Sequence, residues 1–280
     1  GFTGPALAQR IRHLLDNPAL LAEAAHCAHA LGVPDAAERL AGVSLDDPAQ
    51  LAAAWPELPL LRRADVQALG EALRSRAVPA DHGQPIEYHT SGSPGRPLHG
   101  YETELSHFFF GALNLREHLW QRRDFAGSFA AIRTKVGAER LPGWGRAIEA
   151  VFATGPAHTL PIHTPIDQQL DWLLVQNPDY LLTHPSNLRG LLLEARARGV
   201  RPARLRGLGS FGEQLPDDLR ALCRDVWDLP LADIYSCEEA GYIALQCPQV
   251  PEHYHVQAEN LWVEVLDGAG WMHTGDLGTI

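Results

Sequence analysis

The sequence predicts an α/β protein with a mostly parallel sheet flanked by helices and preceded by a helical segment. Three observations carry this. From residue 86 onward, short apolar runs alternate with helical stretches, which is the pattern of strand–helix–strand units and a largely parallel sheet. The first eighty residues read as helices alone. The chain has 280 residues, 45% hydrophobic and 20% charged, long enough for a sizeable core and ordinary for a globular protein. The expected organisation is a helical segment over 1–80, packed on an α/β core over 81–280.

The elements follow in order. Asn17-Pro18 pairs an N-cap with a first-turn proline, and "ALLAEAAHCAHAL" runs on to Gly32, a suitable helix-ending glycine. Asp47-Pro48 repeats that start signal. "SHFFFGAL" opens a helix near residue 106. Strands are predicted at 128–134, 180–184, 204–211, 231–236 and 261–267, where apolar and β-branched residues cluster. Helices are predicted at 165–176, 186–199 and 216–227, with Ser186 placed to cap the second and Gly199 to end it. In such sheets, ligands bind at loops leaving the carboxyl ends of the strands.

Composition excludes several classes of function. A formal net charge of −11 disfavours a nucleic-acid partner, whose phosphates demand cations. No apolar run approaches the length of a membrane span, and the first residues have no charged-then-apolar leader pattern. A cytoplasmic location with no membrane partner is therefore expected. Four cysteines, Cys27, Cys223, Cys237 and Cys247, lack framework spacing, so reduced thiols or a metal site are expected rather than disulfides. Lys135 is the only lysine, which leaves a single candidate for any lysine-dependent step.

Three stretches carry chemistry. In "HTSGSPGRPL" (89–98), Gly92 and Gly95 permit tight curvature, so successive N–H groups can converge on an anion. Thr90, Ser91 and Ser93 add hydroxyls and Arg96 a fixed charge. This suits a polyphosphate, although the glycine spacing is not that of the P-loop, and a surface turn is the competing reading. "DIYSCEEAG" (233–241) puts an aromatic and paired carboxylates after an apolar run, where a carboxylate can hold a divalent ion; the competing reading is a solvated acidic turn. "MHTGDLG" (272–278) supplies a carboxylate in a turn, able to accept hydrogen bonds from ribose hydroxyls; alone it is an ordinary Gly-Asp turn.

Taken in order, the three stretches resemble the adenylate-forming (AMP-forming) acyl ligase superfamily, and most of all its phenylacetate–CoA ligase branch. The family loop TSGSTGxP is matched by Thr90-Ser91-Gly92-Ser93-Pro94-Gly95-Arg96-Pro97, and YGxTExG by Tyr235-Ser236-Cys237-Glu238-Glu239-Ala240-Gly241. The TGD turn is matched by Thr274-Gly275-Asp276, and "SFGEQLP" resembles the segment at the adenine pocket, here Gly212 and Glu213. The likeness runs from about residue 55 to the end, and residues 81–280 become an ATP-binding adenylation core. The resemblance implies activation of an organic carboxylic acid by ATP as an acyl-adenylate. Transfer to a thiol follows, either coenzyme A or the phosphopantetheine arm of a carrier protein. Residues 90–96 would cradle phosphates, with Thr90 and Glu239 catalytic, Glu239 holding Mg2+, Tyr235 flanking the adenine, Ser236 also binding the nucleotide, and Asp276 on the ribose. An aromatic or otherwise apolar acid is expected.

The match has departures. Pro94 stands where the family has a threonine, and Glu238 where it often has one that contacts the α-phosphate. The family's catalytic lysine lies in a small C-terminal domain beyond the TGD turn, and the sequence stops at Ile280, so a core without that lid is expected, with adenylation slowed accordingly. Two other readings stay open: an assembly-line adenylation domain loading a carrier protein, and a degenerate nucleotide-binding module without turnover.

Cys237, Cys247, His253 and His255 fall within nineteen positions, and thiolate with imidazole suits tetrahedral Zn2+. Buried cysteines with surface histidines are the plainer alternative. His107, Trp144 and Phe152 are candidates for an acyl pocket.

Overall fold

The computed structural model describes residues 63–74, 78–90, 98–258, 260, 261, 263, 265–267 and 270–272. They fall into two compact units, one over Gly111–Gln257, the other holding the residues up to Phe110 and from Ala258 on. The helices expected around Asn17-Pro18 and Asp47-Pro48 lie outside the described residues.

In the second unit, α1 (Arg63–Leu69) runs into a 3-10 turn, and β1 (Pro85–His89) pairs antiparallel with β2 (His99–Thr103). α2 (Glu104–Trp120) starts from a reciprocal cap. The Thr103 N–H donates to Ser106 Oγ at 2.8 Å, and the Ser106 N–H donates back to Thr103 Oγ1 at 3.2 Å. Two orphan donors of the first turn are thereby satisfied. Of the strand expected at 261–267, three residues form a strand, in a small antiparallel sheet that this unit also contains.

The first unit holds an eight-stranded sheet. Its strands are β3 (Phe129–Arg133), β4 (Glu139–Leu141), β5 (Ala157–Pro161), β6 (Tyr180–Thr183), β7 (Gly207–Phe211), β8 (Leu231–Cys237), β9 (Gly241–Gln246) and β10 (Tyr254–Val256). The spatial order is β10-β9-β8-β7-β6-β3-β5-β4. β5, β3, β6, β7 and β8 are parallel, while β4 on one edge and β9–β10 on the other are antiparallel. The crossovers are α3 (Arg146–Glu149), α4 (Ile166–Gln176), α5 (Pro185–Arg198) and α6 (Leu219–Trp227). The α/β class expected from the sequence is the one observed, with antiparallel edges added.

Apolar residues on α4, α5 and α6 pack with Ile132, Leu181 and Leu208 of the strands, and Trp227 is fully enclosed. Leu182 points the other way and joins Ile234 and Leu245 against Leu113 and Trp120 of α2. Adjacent strand residues thus serve opposite faces, so both faces of the sheet are covered, as parallel strands require. α4, α5 and α6 each end in a left-handed residue, at Asn177, Gly199 and Asp228. Gly199 was legible as a terminator; Asn177 and Asp228 do the same work with a side chain that tolerates positive φ.

Two boundaries move. β7 starts at Gly207 rather than 204, because Arg204 is drawn into a turn. Its N–H donates to Asn177 Oδ1 at 2.9 Å and its guanidinium pairs with Asp179 at 2.7 Å. β3 stops at Arg133, one residue short of the expected 134, and Lys135 lies in the connection that follows, at φ +59°.

Candidate active site

The parallel strands run β5-β3-β6-β7-β8 in space. The chain leaves β3 for one neighbour, β5, and crosses back to the other, β6. The switch point therefore lies between β3 and β6, and the crevice outside their carboxyl ends is where open α/β sheets take ligands. Four connections meet there or alongside: Lys135 after β3, His184 after β6, Gly212–Glu213 after β7, and the turn that follows Tyr235 on β8.

His184 is the residue before Pro185, and the proline holds it extended at ψ 148° as the N-cap position of α5. Its ring lies 4.5 Å from that of Phe211. Both ring nitrogens are buried and have no hydrogen-bond partner in the protein. Gly212 covers this ring at φ +77°, a conformation that favours glycine. Next to it the Glu213 carboxylate accepts two bonds from one residue, the Ser186 N–H and the Ser186 hydroxyl, each at 2.9 Å. Ser186 therefore does not cap α5. Glu213 does so from the connection after β7, placing negative charge at the positive helix end.

At β8, pairing with β9 shifts between Tyr235 and Ser236: Tyr235 faces Ala244, whereas Ser236 faces Tyr242. The extra residue, Ile243, has its carbonyl taken by the Gln257 N–H at 2.9 Å. Such bulges re-aim side chains beside sites, and Tyr235 emerges exposed. Beneath it, buried Asp233 accepts from Ser210 Oγ and from Tyr254 Oη at 2.7 Å. Arg220 donates to the same Tyr254 oxygen at 3.2 Å. Burial pushes the Asp233 carboxyl up against those hydrogen bonds. Glu238 and Glu239 are exposed on the following turn. Lys135 Nζ lies 3.4 Å from Glu238 Oε1, so the sole lysine belongs beside the acidic turn. The Cys237 thiol is pushed up, by burial first and the charge of Glu239 second.

The structure thus brings Gly212, Glu213, Tyr235, Ser236 and Glu239 to the carboxyl ends of adjacent strands. Thr90 lies in the other unit, where its Oγ1 accepts from the Leu98 N–H and its own N–H donates to Leu98 O, both at 3.0 Å. These bonds close the base of the 91–97 segment. Ser91, Gly92, Ser93, Gly95, Arg96 and Asp276 lie outside the described residues.

The zinc expectation is corrected. Cys237 sits opposite Gly241 at the closed end of the β8–β9 hairpin, while Cys247 follows the last residue of β9. Six residues of strand separate the two ends, about 20 Å at ~3.3 Å per residue. At the far end, the His253 carbonyl accepts from the Cys247 N–H at 2.7 Å, and the His255 ring packs 5.3 Å from Trp120. The four residues do not come together. Trp144 and Phe152 are also displaced from any pocket at the carboxyl ends. Trp144 packs on Phe129 and Tyr180, which open β3 and β6, and Phe152 stacks on Phe125. His107 is exposed, 3.3 Å from Glu102. Among the described residues, no helix is long and apolar enough to cross a membrane.

No family model matches the chain, and no curated protein does. Solved structures do. A 2-hydroxyisobutyryl-CoA ligase in complex with 2-HIB-AMP and CoA, in its thioesterification state, aligns at TM-score 0.60 and 16% identity. The alignment covers 88% of this chain and 53% of that one. An open conformation of that ligase aligns at TM-score 0.57 and 16% identity, over 77% of this chain and 51% of that one. The anthranilate CoA ligase AuaEII, in complex with anthranoyl-AMP, aligns at TM-score 0.52 and 13% identity, over 68% of this chain and 37% of that one. The chain shares the fold of these CoA ligase structures. It spans about half the length of the hydroxyisobutyryl-CoA ligase structures it matches.

Within this fold, three features at the strand ends have no clear signal in the sequence. His184 carries no motif, although its place directly after an apolar strand and before Pro-Ser is a signal for the carboxyl edge. The contact of Lys135 with Glu238, 103 positions away, had no local signal. Asp233 was read only as part of a strand, and its burial depends on β7 and β10.

Proposed function

We propose that the chain forms the nucleotide- and acid-binding part of an ATP-dependent acid–thiol ligase. It would take an aromatic or otherwise apolar carboxylic acid, with coenzyme A as acceptor and a carrier-protein phosphopantetheine arm as the alternative. The observation that carries this reading is the buried, unpartnered His184 imidazole under Gly212, with Glu213 next in the chain and Tyr235 on the adjoining strand β8. Polar atoms buried without partners are rare in folded proteins, and an imidazole offers a donor and an acceptor to a bound group. The fold supports the same reading.

In the proposed reaction, a carboxylate oxygen attacks the α-phosphorus of ATP and pyrophosphate leaves; the thiol sulfur then displaces AMP from the acyl carbon. The protein's part is positioning and charge stabilisation. Tyr235 offers an exposed ring for a base to stack on. Gly212, lacking a side chain, lets the His184 ring lie against the backbone and so fixes the imidazole in place. Glu213 is committed to α5 and would hold its neighbours in place rather than react. Glu239 fits Mg2+ by donor chemistry, an exposed carboxylate oxygen for a hard cation. Bound there, the ion would neutralise phosphate charge. The pairing of Glu238 with Lys135 supports turnover over the degenerate-module reading, since it offsets the carboxylate that stands where the family has a neutral side chain.

Calorimetry tests this with AMP and with stable acyl-sulfamoyl mimics of aryl and alkyl adenylates. The expected order is aryl mimic, alkyl mimic, then AMP, with the aryl form at least about tenfold tighter than AMP (a difference of ~1.4 kcal/mol). Absence of nucleotide binding, or equal affinity for AMP and every mimic, overturns the assignment.

A further inference from the structure

Beyond the ligase reading, and independent of it, the β1–β2 hairpin carries a cluster that nothing above uses. Glu87 and His89 are two residues apart on β1, so their side chains share a face. His99 is the direct cross-strand partner of His89, and so lies on that face as well. Glu87 Oε1 is 3.4 Å from His99 Nδ1 and 3.7 Å from His89 Nε2. The two imidazoles meet edge to face with centroids 4.3 Å apart. One ligand atom from each residue lies within 4.8 Å of the other two, and among the described residues this is the one group of three or more that does so.

We propose that Glu87, His89 and His99 form a binding site for a divalent transition-metal ion, with Zn2+ as the occupant. Zinc bonds of about 2.0–2.2 Å to nitrogen and oxygen in a tetrahedron put neighbouring ligand atoms about 3.4 Å apart. The observed 3.4 and 3.7 Å separations need only a few tenths of an ångström of closure. Two nitrogens and one oxygen suit zinc and its neighbours rather than magnesium, which prefers all-oxygen shells and retains its waters. The site is thus chemically distinct from any magnesium that accompanies ATP. All three residues are half exposed, which leaves room for water as the fourth ligand.

The position gives the ion a consequence. His89 and His99 are the last and first residues of the paired strands, immediately outside the Thr90–Leu98 hydrogen bonds that close the 91–97 segment. A metal bridging the two histidines ties β1 to β2 at this end of their pairing. Metal that binds only the folded chain raises its stability by mass action.

The test uses the 280-residue chain stripped by a chelator and titrated with zinc chloride in calorimetry, with thermal unfolding read alongside. The expected result is one equivalent bound and a raised Tm. His89→Ala and His99→Ala should each weaken binding at least tenfold, the scale set by loss of even an outer partner of a ligand. The double substitution should abolish both binding and the Tm rise, and Glu87→Gln should weaken binding. Cobalt substituted for zinc should give four-coordinate ligand-field bands with no thiolate charge-transfer band. Uptake well below one equivalent, unchanged affinity in the double variant, or a thiolate band from the cysteines would each overturn the proposal. The variants leave the residues assigned to nucleotide and acid untouched, so failure of zinc binding and failure of adenylate-mimic binding are separately readable.

Discussion

Gly212 lies directly over the His184 ring: a Cβ added to it would sit 3.1 Å from both Cε1 and Nδ1 of the imidazole. At φ +77° the backbone is also in the region that non-glycine residues avoid. Gly212→Ala should therefore destabilise the chain by about 1–3 kcal/mol from backbone strain alone, measured as a lower urea midpoint with unchanged slope. It should also weaken binding of the acyl-adenylate mimic. A variant as stable as the parent would mean that the loop relaxes and does not form a rigid cover.

His184 itself separates binding from stability. Burying its nitrogens unpaired costs about 1–3 kcal/mol, so His184→Leu should leave thermal stability equal or higher. Binding of the acyl-adenylate mimic should fall at least tenfold, equivalent to ~1.4 kcal/mol. A stable variant with undiminished affinity would remove His184 from the site.

The network under Tyr235 makes a third expectation. Tyr254→Phe removes one of the two hydroxyls bonded to Asp233 and leaves Arg220 with one fewer partner. The loss should be about 1–3 kcal/mol, and Asp233→Asn should rescue part of it by removing the buried charge. Because burial raises the folded carboxyl, protonation favours the native state. This group's contribution should make the Tyr254→Phe variant regain stability as pH falls toward the ordinary carboxylate range. Denaturation midpoints across that range, compared with the parent, test the sign.

His118 gives the opposite slope. Burial first, and the Arg123 guanidinium second, lower its pKa from the ordinary histidine value to about 2. Arg123 Nη1 lies 2.7 Å from His118 Nδ1, so that nitrogen accepts and Nε2 carries the proton. Below about pH 6.5 the unfolded chain takes up a proton that the folded chain refuses, and stability falls by up to ~1.4 kcal/mol per pH unit. His118→Gln should flatten that dependence between pH 6.5 and 5, whatever it does to stability at pH 8. Parallel curves for parent and variant would refute the assignment.

Much of the core was legible because its signals are local. Strands near 128–134, 180–184 and 231–236 show as apolar runs, and α4 and α5 show as periodic segments with a cap or terminator nearby. Ser186 misled because the hydroxyl beside a helix start looked like a cap, whereas the carboxylate that completes the turn comes from residue 213. Cys237, Cys247, His253 and His255 misled for a related reason. Closeness in sequence is not closeness in space, since Cys237 sits at the turn of the β8–β9 hairpin and Cys247 at its open end.

By itself, the sequence determined the α/β class, the positions of the main strands and crossovers, and the motif order that resembles adenylate-forming ligases. Only the tertiary structure decided the strand order, the bulge that turns Tyr235 outward, the unpartnered His184 under Gly212, and the placement of Lys135 against Glu238. It also decided that the hairpin's histidines stand opposite each other with Glu87 beside them. The physical reason is common to all of these. Propensity and periodicity act over a few residues, whereas strand register and crossover direction set which distant side chains meet, and those are fixed only when the sheet closes on its helices.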